Sequence, residues 1–538
     1  MNKTLKVFIS FIIMIISIGG VCFTIGYEKT NLNNNELVFL DEIDNKIYNT
    51  NNIGLTHNEI VIIFLCIFVF SLALLYLINL MFNLFNFDKI YKKAVAGLVL
   101  FTFTSIISFI LVTYTNKYIL VSKNSEFIKK PYHTSIISPV GKYEITSDKI
   151  IENKKYIVVE PNTNAVLIRG GIKATLNGIL IVKQGNSTNN TSSTVYGTNS
   201  SILVLKDSSL NINNSTINTS GEGSSGLFAA LDNSIIDANM VNIETSNNDS
   251  IGVVASINSL INIKESKIKT SSKGSSGVSA IRGGTINIYS TNIKTTASSS
   301  PLINNNSIVS INNSTGDANG SPVLYTKGSS NTSIFNCEFK TTGNRITSNN
   351  YDGAFIIDNQ YLSNGFEDTS KLSIYNSDIT IKNQSKVYDS APVILINNSN
   401  TEINLSSNTF DYGSNTFLKL QNSSKSKNMR VVLNGTNQII DGNIVVSDNS
   451  VLEVRLTNSQ FKGNINKNNK AEKISLFLND STMELTDDSY VSILNNNKDD
   501  FSNIKSNGYT LYYDKNLNKK LDGKTFKLSD GGYVKPYN

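Results

Sequence analysis

The sequence predicts an all-β fold, a right-handed parallel β-helix with coils of about 25 residues, preceded by three transmembrane α-helices. Three observations carry this reading: a thirteen-residue string written three times, strand-like alternation within each copy, and three long uncharged apolar stretches before residue 115.

The apolar stretches come first in the chain. Residues 7–27 (VFISFIIMIISIGGVCFTIGY), 60–85 (IVIIFLCIFVFSLALLYLINLMFNLF) and 94–114 (AVAGLVLFTFTSIISFILVTY) carry no charge, and each is long enough to span a bilayer. The first resembles a signal sequence after Lys3 and Lys6, but Val21 stands before Cys22 where a lipoprotein cleavage site needs a small residue. All three are therefore expected to stay as helices, the first as a signal-anchor. Lys3 and Lys6, together with Lys89, Lys92 and Lys93 between the second and third stretches, place those segments inside, and the acidic loop 28–59 outside. The expected location is a bacterial cell membrane, with a cytoplasmic N-terminus and the β-helix beyond it. Lys117, Lys123, Lys129 and Lys130 oppose this orientation, but long domains cross regardless of charge. The stretches hold no Asp, Glu, Lys, Arg or His, so they read as an anchor and not as an ion or substrate pathway. The expected organisation is a membrane anchor over 1–115, a linker over 116–139, a β-helix over 140–500 and a C-terminal β cap over 501–538.

The repeat is written as INTSGEGSSGLFA (217–229), IETSNNDSIGVVA (243–255) and IKTSSKGSSGVSA (268–280). Leu210, Ile236, Ile261 and Ile286 form one column, and Ile212, Ala238, Ile263 and Ile288 another. Ile217, Ile243, Ile268 and Ile293 follow, then Thr219, Thr245, Thr270 and Thr295, and a serine column of Ser224, Ser250, Ser275 and Ser300. A fixed period in this range marks a solenoid, and the alternation in INI and IKI is strand periodicity. Each copy reads as three short strands joined by polar corners, with the aliphatic columns inward and Thr, Asn and Lys toward water. The column glycines Gly226, Gly252 and Gly277 mark corners that need positive φ or close backbone approach. One coil buries too few aliphatic side chains to offset the ordering of 25 residues, so the array must fold as a set. No hexapeptide period is present, which separates it from left-handed β-helices; some 14 coils are expected.

Composition excludes several chemistries. The net charge of +6 is spread as scattered lysines with no dense basic run, which argues against nucleic acid. Cys22 and Cys66 lie in apolar stretches and Cys337 stands alone in the repeats, so no disulfide framework is expected. The two histidines, His57 and His133, precede the repeats, which rules out a Ser-His-Asp triad, a Cys-His pair or a His-ligated metal on the rod. The glycine pair in RGGTINI (282–288) has no helix after it and is no phosphate loop. Asp232 and Arg282 fall near one corner two coils apart, too far to pair, while Asp487–Asp488 and Asp499–Asp500 read as solvated turns. Tyr289, Tyr325, Tyr351 and Tyr361 share no column, and the Thr column reads as a source of hydrogen bonds between coils. No catalytic, cofactor-binding or metal-binding residue is assigned, and no cofactor is expected.

The order of segments resembles bacterial exported right-handed parallel β-helix proteins of the pectin-lyase-like, adhesin-like kind. The likeness runs from NAVLIRGGIKATLNGILIVKQG through GSPVLYTKG (320–328), INLSSNTF and DGNIVVSDNSVLEVRLTNSQFKGNIN. It is most specific in the closing LNDSTMELTDDSYVSILNN, NIKSNGYTLYYD and LDGKTFKLSDGGYVKP. Members typically carry Trp where this chain has Met483, and many begin with one signal peptide in place of three spans. The resemblance implies fold and export, and it lends no catalytic residue.

The expected function is an adhesin-like binding scaffold for polysaccharide, glycan or a cell-surface partner, read at corner loops near 219–225, 246–250 and 343–353. A polysaccharide lyase or glycoside hydrolase is the alternative, and would need three carboxylates converging beside a Lys or Arg; a structural stalk is the third. No sequence feature sets an oligomeric state. Protease added to intact cells is expected to remove a C-terminal tag; a tag that survives until lysis would put the rod inside.

Overall fold

The computed structural model describes residues 139–537 apart from 344–351, 360–368, 383–390 and 424–428. Before residue 139 it describes only residues 10, 12–14, 17, 38–40, 65, 66, 69, 70, 73 and 134–136. The chain divides into two compact units, Met1–Ser138 and Pro139–Asn538. In the first, the described residues of stretches 7–27 and 60–85 are helical, and Val38–Leu40 pairs antiparallel with Thr134–Ile136. Most of the three expected spans, and all of 94–114, lie outside the described residues. Among the described residues no helix is long and apolar enough to cross a membrane.

The second unit is a parallel β-helix. Its long sheet has fourteen strands, from Lys149–Glu152 to Ile493–Asn496. A twelve-stranded sheet runs from Val140–Ile145 to Asn443–Val445, and a ten-stranded third sheet from Lys155–Val158 to Thr409–Asp411. Four further strands, from Ile439–Asp441 to Ile504–Lys505, occupy the third position in the later coils. The chain visits each sheet once per coil, so every pairing is parallel and joins one coil to the next. At the usual strand spacing, fourteen coils make a rod about 60 Å long.

The aliphatic columns stack as the period requires. Leu210, Ile236, Ile261 and Ile286 are paired in register and fully buried. Ile217, Ile243, Ile268 and Ile293 do the same in the third sheet. One apolar cluster extends from Ile145 to Val534. Its last layer, with Leu511, Tyr513 and Val534, is formed by a sheet of Ser489–Val491, Thr510–Asp514, Tyr533–Tyr537 and Phe526–Lys527. The final pair of that sheet is antiparallel, which ends the stack.

Two column readings change. The Thr residues face inward: Thr245, Thr270 and Thr295 are 0% exposed and Thr219 3%. The hydroxyls of Thr245 and Thr270 donate to the carbonyls of Ser250 and Ser275, so they clamp a corner within one coil and do not bridge coils. A β-branched side chain that bonds its own corner can be buried like valine, and for that reason polarity alone misplaced it. The bridging is done by serine. The Ser224 amide donates to the Ser250 hydroxyl at 3.0 Å, Ser250 to Ser275 at 3.0 Å, and Ser275 to Ser300 at 3.1 Å. Each hydroxyl in turn donates to a carbonyl one coil back, as Ser275 Oγ does to Asn247 O at 2.9 Å.

The column glycines serve close approach. A Cβ on Gly252 would lie 2.5 Å from the Gly277 carbonyl oxygen and 2.5 Å from Ile268 Cγ2. Cys337 belongs to a second corner ladder, in which its amide donates to Ser377 Oγ at 3.0 Å. There it replaces a serine, and burial pushes its thiol up to about 11, which keeps it unreactive.

One element departs from the coil pattern. Asn190–Tyr196 is a helix, capped by the Asn189 side chain accepting from the Ser192 amide and ended by Gly197 at φ 70°. It lies outside the twelve-stranded sheet, with Ser256 Oγ donating to Val195 O and the Arg282 guanidinium to the Tyr196 hydroxyl.

Ser275→Ala should cost about 1–3 kcal/mol, because it orphans the buried Ser250 amide. Thermal and denaturant melts would show it as a lower midpoint; an unchanged midpoint would mean the ladder contributes nothing.

Candidate functional site

Along Ser209–Asn213, Leu210 and Ile212 point into the core and Ser209, Asn211 and Asn213 point out. Because register is preserved, each outward position becomes a row along the long sheet. The central row reads Asn211, Asp237, Asn262, Asn287 on consecutive coils. Asn262 donates to Asp237 Oδ1 at 2.7 Å, and Asn287 to Asn262 Oδ1 at 2.9 Å. A side-chain amide has two N–H groups and two lone pairs, so Asn262, which donates once and accepts once in the ladder, retains one N–H and one lone pair toward solvent.

The neighbouring row runs Asn213, Asn239, Lys264, Tyr289, Asn312, Phe335, Tyr375. Tyr289 is 44% exposed, and the Phe335 and Tyr375 rings stack at 5.0 Å and 16°. Between the rows lies a trough of about 660 Å³, lined by residues that include Asp237, Asn262, Lys264, Asn287 and Tyr289. Three aromatics thus fall in one column, although the four tyrosines named from the sequence do not. Tyr325 belongs to the twelve-stranded sheet, 6% exposed, with its hydroxyl donating to Asp358 at 3.3 Å. Tyr351 and Tyr361 lie outside the described residues.

Further along the same face a second trough of about 480 Å³ is lined by Glu402, Arg430, Glu453 and Arg455 among others. Lys371 pairs with Glu402 at 3.4 Å, Arg455 with Glu453, and the Arg455 guanidinium lies 5.1 Å from the Phe477 ring centre. Glu402 and Glu453 are two coils apart, about 10 Å along the rod. The Asn404 amide at 2.8 Å, and then Lys371, hold the Glu402 carboxyl below the usual glutamate range. A carboxylate kept ionised in this way can accept hydrogen bonds, but it is a poor proton donor near neutral pH.

The other charges singled out in the sequence are absorbed locally. Asp232 accepts from Asn258 at 2.8 Å, and Arg282 lies over the Tyr196 ring, 5.3 Å from its centre. Asp487 pairs with Lys467, Asp488 accepts from the Thr510 amide, and Asp500 caps Ser502. In RGGTINI, Gly283 takes φ 84° in the turn before strand Thr285–Tyr289. The corners at 219–225 and 246–250 include the buried Ser224 and Ser250, and much of 343–353 lies outside the described residues. Among the described residues no group of three or more His, Cys, Asp or Glu is arranged to hold a metal. His57 and His133 lie outside the described residues.

With its folded value below the ordinary 4.5, Glu402 adds stability above that pH, and the contribution is lost as pH falls through the lowered value. A carboxyl NMR titration should place Glu402 below 4.5, and Asn404→Ala should return it toward that value; a midpoint above 4.5 would reopen general-acid chemistry here.

Compared with protein-family models, curated proteins and solved structures, the chain matches none.

Proposed function

We propose that this is a membrane-anchored bacterial surface rod that binds polysaccharide along the outer face of its long sheet. The observation that carries the reading is the match between a periodic surface and a periodic ligand. Donors and acceptors repeat at every coil of about 4.8 Å, a rise comparable to one sugar residue of an extended chain. The central row, Asn211 to Asn287, offers paired donors and acceptors for hydroxyl groups. Tyr289 and the Phe335–Tyr375 stack offer ring faces to the apolar side of a sugar. The charged trough at Glu402 to Arg455 lies on the same face, so a long chain could engage both.

The rod is read as right-handed, the hand that β-crossover-β connections take in nearly all folds. The apolar stretches 7–27, 60–85 and 94–114 supply the anchor under this reading.

Replacing Tyr289 and Tyr375 together by alanine should lower affinity for a bound polysaccharide roughly tenfold, the loss of about 1.4 kcal/mol, while leaving the melting midpoint unchanged. Glycan arrays followed by calorimetry would measure it. Binding to no polysaccharide, or binding indifferent to both residues, would leave the rod as a stalk.

A further inference from the structure

The charged side chain of Lys183 is fully buried, at 0% exposure, inside the second coil of the rod. It occupies the inward column between Val158 and Thr219, where the later coils carry the corner-clamping threonines. Its Nζ donates to the carbonyls of Gly185 at 2.8 Å and Glu160 at 3.2 Å. Asn199, also 0% exposed, donates through Nδ2 to that same Gly185 oxygen at 2.9 Å. Two buried nitrogens thus converge on one acceptor and stand less than about 6 Å apart. The corner is cleared for them. A Cβ on Gly185 would lie 1.9 Å from the Glu160 carbonyl oxygen, and one on Gly221 would lie 2.1 Å from the Gly185 oxygen.

We propose that Lys183 and Asn199 form an intramolecular isopeptide bond. Neutral Lys183 Nζ attacks Asn199 Cγ. A new Nζ–Cγ amide forms, the Cγ–Nδ2 bond breaks, and the Nζ proton passes to Nδ2, which leaves as ammonia. No oxidant or reductant is required.

Each requirement has a residue. Burial brings the Lys183 ammonium down to about 8, so a useful fraction is nucleophilic near neutral pH. The Thr163 amide donates to Asn199 Oδ1 at 3.3 Å, where the tetrahedral intermediate carries its negative charge. The Glu160 carboxylate is paired with Lys142 at the surface, so the proton passes directly from Nζ to the departing Nδ2 within the tetrahedral intermediate. Exclusion of water protects the intermediate from hydrolysis. The product also removes a cost, since an uncharged amide replaces a buried ammonium.

The test is a tryptic digest of the detergent-solubilised full chain, read by mass spectrometry. Lys183 is the one trypsin site inside residues 174–206. The expected result is that 174–206 persists as a single peptide, lighter than its sequence mass by one ammonia, with fragmentation suppressed between Lys183 and Asn199. Asn199→Asp should give the same ring with loss of one water relative to its own sequence. Lys183→Arg keeps the charge and donors but should restore sequence mass and cleavage. Wild-type chain that yields separate peptides 174–183 and 184–206, or an uncleaved peptide at sequence mass, overturns the proposal and leaves Lys183 as a hydrogen-bond donor to two carbonyls. The wild-type digest alone decides, whether or not either variant folds.

Discussion

Among the described residues, every strand of the rod's three long sheets finds its backbone partners on a neighbouring coil and none within its own, and the rest of the structure follows from that constraint. A buried amide without a partner costs about 1–3 kcal/mol, so coils must stack in strict register or not at all. Register then forces like onto like. Leu210 meets Ile236, Asn262 meets Asn287, and Thr245 meets Thr270. Corners cannot continue the strand pattern, and there the serine hydroxyl stands in, accepting from the coil before it and donating to a carbonyl further back.

The same constraint shapes the outer surface. An inward row of isoleucines imposes an outward row of whatever residue alternates with them, so the Asn and Asp ladder of the long sheet shares its spacing with the core. That surface is rigid, since its side chains are tied to one another before any ligand arrives. A preorganised row spends little conformational entropy on binding. Charged residues on this face are drawn into pairs, as in Lys371–Glu402.

The repeat class and the inward aliphatic columns were legible because a period of 25 or 26 residues is printed directly in the sequence between 210 and 295. Beyond that the coils change length. The column passes from Ile286 to Val309, Thr332 and Leu372, intervals that no fixed period anticipates. Tyr289, Phe335 and Tyr375 are therefore neighbours in space without a spacing that announces it. The Thr column was legible in position but not in direction, because hydroxyl polarity suggested water while the bond to its own corner allowed burial. Lys183 was hidden for a similar reason: it continues the Thr column one coil earlier, where the chain between coils is longer and the alignment is lost. The helix Asn190–Tyr196, rich in Ser, Thr and Asn, has little intrinsic helix propensity and owes its form to its caps and to the sheet beneath it.

The serine ladder has a polarity. In each step the amide on the earlier coil donates to the hydroxyl on the later one, from Ser224 through Ser250, Ser275 and Ser300 to Ser321. A coil is thus incomplete until its successor arrives, while its predecessor is already satisfied. For a chain made from its N-terminus, the two ends of a growing stack are not equivalent. At this corner the leading end presents an unfilled amide and the trailing end an unused hydroxyl acceptor, so each turn offers the next a donor of fixed direction.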